Sequence, residues 1–121
     1  MTALSRLGEV SRAYELAADE YRAFVVDAAE AEAAHRSGKA KTILRFKALE
    51  DVRSHAEAEA RADADEEIAD LYRRRLVTAA LAESHKAKLQ QLREQVATGR
   101  TRVTSEREVD RIHAGGLSGA A

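Results

Sequence analysis

The chain has 121 residues, no Pro and no Cys, and 20 Lys and Arg against 21 Asp and Glu, for a formal net charge of −1. The lack of Cys excludes disulfides and thiolate metal sites, and no apolar run approaches the ~20 residues of a membrane span. A Pro-free chain rich in Ala, Glu, Arg and Leu predicts an all-α protein of long helices, and its few aromatic side chains suit a narrow coiled-coil seam completed by partner chains.

The first helix is predicted over about residues 3–36, with Thr2 as its N-cap. Leu4, Leu7, Ser11, Tyr14, Ala18, Tyr21, Val25 and Ala28 alternate spacings of three and four, the pattern that keeps one stripe against a neighbouring helix. Gly38 weakens a helix by about 1 kcal/mol relative to Ala and is either a C-cap or a tolerated soft spot. A basic amphipathic segment follows over about 39–50, where Ile43, Leu44, Phe46 and Leu49 alternate with Lys39, Lys41, Arg45 and Lys47. A turn is expected near 50–55. Ser54 with Glu57, and Asp63 with Glu66, match the capping box that opens a helix.

The last helix is predicted over about 56–112. Ile68, Leu71, Arg75, Thr78, Ala82, His85, Leu89, Leu92, Val96, Gly99 and Val103 share one heptad frame. Leu76, Val77, Ala79, Ala80 and Leu81 make its first half apolar nearly all round, as in a helix wrapped by more than one neighbour. Residues 114–121 are expected to be a disordered tail. The expected architecture is thus a single domain over 1–113, an elongated helical hairpin that assembles into a ring-like homo-oligomer. Tyr14, Tyr21, Val25, Leu71, Leu89, Leu92 and Val96 are the expected oligomer seam.

Charge is segregated in blocks. Residues 1–34 carry three basic and seven acidic side chains, 35–53 six against two, 54–70 one against seven, and 71–107 nine against three. Such asymmetry informs about partners, not fold. His35, His55, His85 and His113 are scattered without a ligand motif. There is no G-x-S-x-G and no Gly-rich phosphate loop, so no enzyme activity, metal or cofactor is expected. The feature that invites a ligand is the cluster Arg36, Lys39, Lys41, Arg45 and Lys47. Clustered cations near a helix bend can track a phosphate backbone. Alternatively, they form a solvated face that pairs across the turn with the acids of 57–70. Arg73, Arg74 and Arg75 point in three directions, so one is expected to meet a neighbouring helix, most simply in a salt bridge between subunits.

This order of features resembles the phage recombination mediator family typified by UvsY. The resemblance covers about residues 12–108. A first helix runs into a basic stretch, here Glu32-Ala-Ala-His-Arg-Ser-Gly-Lys-Ala-Lys41, and Lys39 and Lys41 stand where the family has a Lys-x-Arg pair. After a turn, the acidic patch Ala62-Asp-Ala-Asp-Glu-Glu67 opens a long helix ending near Glu106–Glu108. Lys41 departs from the family's Arg, and the chain is richer in Ala and poorer in aromatics. The resemblance implies a ring-forming, non-catalytic protein that binds single-stranded DNA through Lys39 and Lys41, assisted by Arg36, Arg45 and Lys47. It would help a recombinase displace single-strand-binding protein. The alternative is a structural or adaptor protein that binds another protein through its long amphipathic helix. Met1 to Val10 has no apolar signal core, and a cytoplasmic location is expected in either case.

Overall fold

The structure, a computed structural model, describes residues 2–49 and 51–119, with the backbone alone for 116–119. It is all-α: α1 spans Ala3–Lys47, α2 His55–Ala64 and α3 Glu66–Gly119, and no strand occurs among the described residues. The chain divides into two compact units. One comprises Met1–Tyr21 with His85–Ala121, the other Arg22–Ser84.

The helix ends follow local chemistry. Thr2 Oγ1 accepts from the Ser5 amide at 3.1 Å and starts α1. Gly38 does not end this helix, which continues to Lys47, so the basic segment is its last turns and not a separate element. Ser54 caps α2 by accepting from Glu57 N at 3.1 Å, while Glu57 Oε2 accepts from Arg53 N at 3.0 Å. The last helix, predicted over about 56–112, is in fact two. Asp65 breaks it: with extended backbone (φ −64°, ψ 131°) it ends α2, and its carboxylate accepts from Glu67 N and Ile68 N to open α3. The cap is Asp65 and not the expected Asp63, which lies inside α2 and pairs with Lys39. At the other end α3 runs on to Gly119, where the sequence predicts a tail from 114. Without Pro, each further residue adds a backbone hydrogen bond, and scattered glycines weaken the helix without stopping it. Residues 120 and 121 of that expected tail lie outside the described residues.

In the unit of Met1–Tyr21 and His85–Ala121, α1 and α3 pack antiparallel. Leu7 meets Gly99, Tyr14 meets Arg93, and Glu20 meets Lys88. A methyl group on Gly99 would stand 3.1 Å from Leu7 Cδ1 and 3.9 Å from its Cα, so glycine here serves close approach of two helices. Ala17 and Val103 are buried, and Tyr14, Tyr21, Leu89, Leu92 and Val96 are half-buried.

In the unit of Arg22–Ser84, Gly38 plays the same part. A Cβ there would lie 2.9 Å from Leu71 Cδ1 and 3.4 Å from Ile68 Cδ1. Ala31, Ala58, Ala62 and Ile68 form the apolar core, joined by the buried polar side chains of His35 and Thr42.

Every α3 position of the predicted heptad, Ile68 through Val103, is buried or half-buried. On α1 the frame is corrected at alternate positions. The inward set is Leu7, Val10, Tyr14, Ala17, Tyr21, Phe24, Ala28, Ala31, His35, Gly38 and Thr42. Ser11 and Ala18 are half-buried beside it, whereas Leu4 and Val25, expected in the seam, are exposed. Val10 and Phe24 remove more apolar area from water than Ser11 and Val25 would, which decides the choice between frames that share Leu7, Tyr14, Tyr21 and Ala28. Six of the seven expected oligomer-seam residues are half-buried within the single chain; Val25 is the exception.

Candidate nucleic-acid interface

The turn after α1 sets acidic α2 beside the end of α1. Glu59 and Asp63 are one helical turn apart on α2 and hold Lys39 between them: its Nζ lies 3.2 Å from Glu59 Oε1 and 3.0 Å from Asp63 Oδ1. Hydrogen bonds from the Lys39 ammonium to Asp63 and then Glu59 raise its pKa above the usual 10.5. While the two acids are ionised, this pairing stabilises the fold fully below pH 10.5 on the alkaline side and fades as pH rises through the folded value of Lys39. Arg36 pairs with Glu32 at 2.6 Å, and Arg45 stands 3.8 Å from Asp65 while its guanidinium lies 5.7 Å from the Phe46 ring centre. Lys41 and Lys47 are exposed, and neither has a carboxylate partner among the described residues. The five cations clustered in the sequence are thus sorted by the fold. Lys39 and Arg36 are engaged, Arg45 is loosely so, and Lys41 and Lys47 are open to solvent beside exposed Leu44.

Behind Lys39 lies a buried polar contact that the sequence did not reveal. His35 is 6% exposed, its ring 5.2 Å from that of Tyr72. Arg75, half-buried on α3, sets Nη1 3.2 Å from His35 Nδ1 and Nη2 3.3 Å from Glu32 Oε1. Arg75 therefore finds its partners inside its own chain, where the sequence predicts a bridge between subunits. With a guanidinium donating to Nδ1, the imidazole is held neutral as an acceptor. Burial, and then the charges of Arg75 and Lys39, push its pKa below 6.5.

A second group of cations occupies α3 within the other unit. Lys86, Arg93, Arg100 and Arg107 recur every seven residues and are all exposed. None of the four has a carboxylate partner among the described residues. Arg93 Nη2 reaches only the Tyr14 hydroxyl, at 3.5 Å. Beside Arg93 and Arg100 runs an open groove of about 360 Å³, floored by Val96 and Ala97 and walled by Ser11, Tyr14 and Glu15 of α1. The stripe lies within the basic block of 71–107, and its seven-residue spacing is the signal that singles it out.

Among the described residues no group of three or more His, Asp or Glu is placed to hold a metal ion, and no helix is long and apolar enough to cross a membrane. No protein-family model matches the chain, and comparison with curated proteins and with solved structures finds no similar protein.

Proposed function

We propose that this protein is a non-catalytic, single-stranded-DNA-binding recombination mediator that acts as a homo-oligomer in the cytoplasm and helps load a recombinase in the presence of single-strand-binding protein. The observation that carries this reading is the open cationic face at the end of α1, where Lys41, Arg45 and Lys47 are exposed around Leu44. Lys41 and Lys47, exposed cations with no carboxylate partner among the described residues, are suited to bind phosphates with release of counterions and without base preference, and Arg45, only loosely paired with Asp65, stands beside them. The resemblance to UvsY-like proteins supplies the recombinase and the single-strand-binding protein as partners. Lys39 and Arg36, both paired with acids of the chain, support the fold in this reading.

The test removes the open charges and spares the paired one. Lys41→Gln with Lys47→Gln lowers affinity for a labelled single-stranded oligonucleotide by roughly 10–30-fold at 0.1 M salt, taking ~0.7 per cation in the log–log salt dependence of single strands. Unchanged binding by this variant removes the α1 face from the reading.

A second reading, an adaptor that binds another protein, is favoured by a different observation. Leu76, Val77 and Leu81 on α3 are 51%, 58% and 42% exposed and lie on one side of the helix. Leu76→Gln with Leu81→Gln should leave DNA binding intact in the mediator reading. In the adaptor reading the wild-type protein binds no single strand even at low salt.

A further inference from the structure

The α3 stripe in the unit of Met1–Tyr21 and His85–Ala121 has a chemistry of its own. A repeat of seven residues returns a helix to nearly the same face, advancing about 10.5 Å along the axis and drifting about 20°. Arg93 and Arg100 thus project side by side along one edge of the groove, with Lys86 and Arg107 continuing the row in either direction. The residues that flank the two arginines on their own helix face are Gln90, Ala97 and Thr104, all uncharged. Across the groove stand the hydroxyls of Ser11 and Tyr14, and one carboxylate, Glu15. Neither arginine has a carboxylate partner among the described residues, and a guanidinium whose one printed hydrogen bond is a 3.5 Å contact to a phenol keeps nearly all its donor capacity for a ligand.

We infer that this groove is a second contact surface for the sugar–phosphate backbone of single-stranded DNA, with Arg93 and Arg100 as the phosphate ligands and Tyr14 and Ser11 as hydroxyl partners. The choice of single-stranded DNA as the polyanion rests on the function proposed above, while the groove's charge, spacing and lack of carboxylate partners stand apart from the α1 cations. Guanidiniums in single file along one helix fit one flexible backbone, and Tyr14 beside them offers a ring edge for an unstacked base. Glu15 opposes the phosphate and limits affinity.

The test is fluorescence anisotropy of a labelled single-stranded oligonucleotide with the full chain, across a range of salt. Arg93→Gln with Arg100→Gln is expected to weaken binding roughly 10–30-fold at 0.1 M salt and to flatten the log–log salt slope by about 1.4. Gln suits a helix nearly as well as Arg, and circular dichroism checks that the helices remain. Glu15→Gln guards against a folding artefact, since it should tighten binding several-fold. Neither substitution changing affinity, while Lys41→Gln with Lys47→Gln does, overturns the groove and leaves the α1 face standing. Loss with the arginine pair alone supports the groove and overturns the α1 face. No binding by the wild-type chain at 50 mM salt overturns the DNA reading altogether.

Discussion

Lys39 and Arg93 carry the same charge and face opposite surroundings. At the end of α1, α2 supplies Glu59 and Asp63 within 3.2 Å of the Lys39 ammonium, so a cation that is prominent in the sequence becomes part of the scaffold. On the second half of α3, Arg93 and Arg100 sit over a groove with uncharged flanks and a single carboxylate opposite. Charge crowded along a sequence is therefore a poor guide to charge offered to a ligand. A dense basic segment invites an acidic neighbour to fold against it, whereas cations spread at seven-residue intervals line up on a helix face and stay open.

The largest expected effect concerns the scaffold on the α2 side. Ile68 is 3% exposed in the core of its unit and is a neighbour of Gly38. Ile68→Ala should cost about 2–4 kcal/mol, read as a shift of the urea midpoint. A shift near zero would mean that α1 and α3 are not packed there as described. Next in size is the 10–30-fold loss of single-strand affinity with Arg93→Gln and Arg100→Gln, which bears on the open side of the comparison. Smaller, and opposite in sign, is the release of Lys39. Glu59→Gln with Asp63→Asn frees its ammonium and should raise DNA affinity by roughly fivefold at 0.1 M salt, one added cation's worth, while lowering Tm by a few degrees. Equal affinity before and after would show that pairing is not what withholds Lys39.

The smallest effect is one of pH. Because the folded state holds His35 below its usual pKa of 6.5, the unfolded chain binds a proton that the folded chain refuses. Stability from this site is complete above pH 6.5 and is lost as pH falls through the window between 6.5 and the folded value. Tm should decline on acidification below 6.5, and His35→Gln should flatten that decline. Glu32, Arg36 and Lys39 on α1, Asp63 on α2, and Tyr72 and Arg75 on α3 surround the ring and set the size of the effect.

Much of the fold is legible from spacing. The α3 frame stands out because large apolar residues such as Ile68, Leu71, Leu89 and Leu92 recur among charges. On α1, Leu7, Tyr14, Tyr21 and Ala28 belong to two competing frames, and only the burial of Val10 and Phe24 separates them. The break at Asp65 is not legible because the capping-box match falls on Asp63, with Glu66 three residues on, whereas Asp65 has Ile68 at that spacing. In the fold Asp63 lies within α2 and its carboxylate pairs with Lys39. The contact of Arg75 with His35 spans 40 residues and depends on helix register, which composition and local motifs do not encode. For the candidate interface, charge density locates the α1 cluster but not which of its members stay open, and it marks 71–107 as basic without singling out Arg93 and Arg100.

The most direct test of the central claim, that the fold withholds Lys39 and offers Arg93, compares two single substitutions side by side. Lys39→Gln and Arg93→Gln each remove one positive charge, and each is titrated with the same single-stranded oligonucleotide from low to moderate salt. The expected result is a salt slope flattened by about 0.7 for Arg93→Gln and left unchanged for Lys39→Gln. The reverse order, with Lys39→Gln flattening the slope and Arg93→Gln leaving it intact, would contradict the claim.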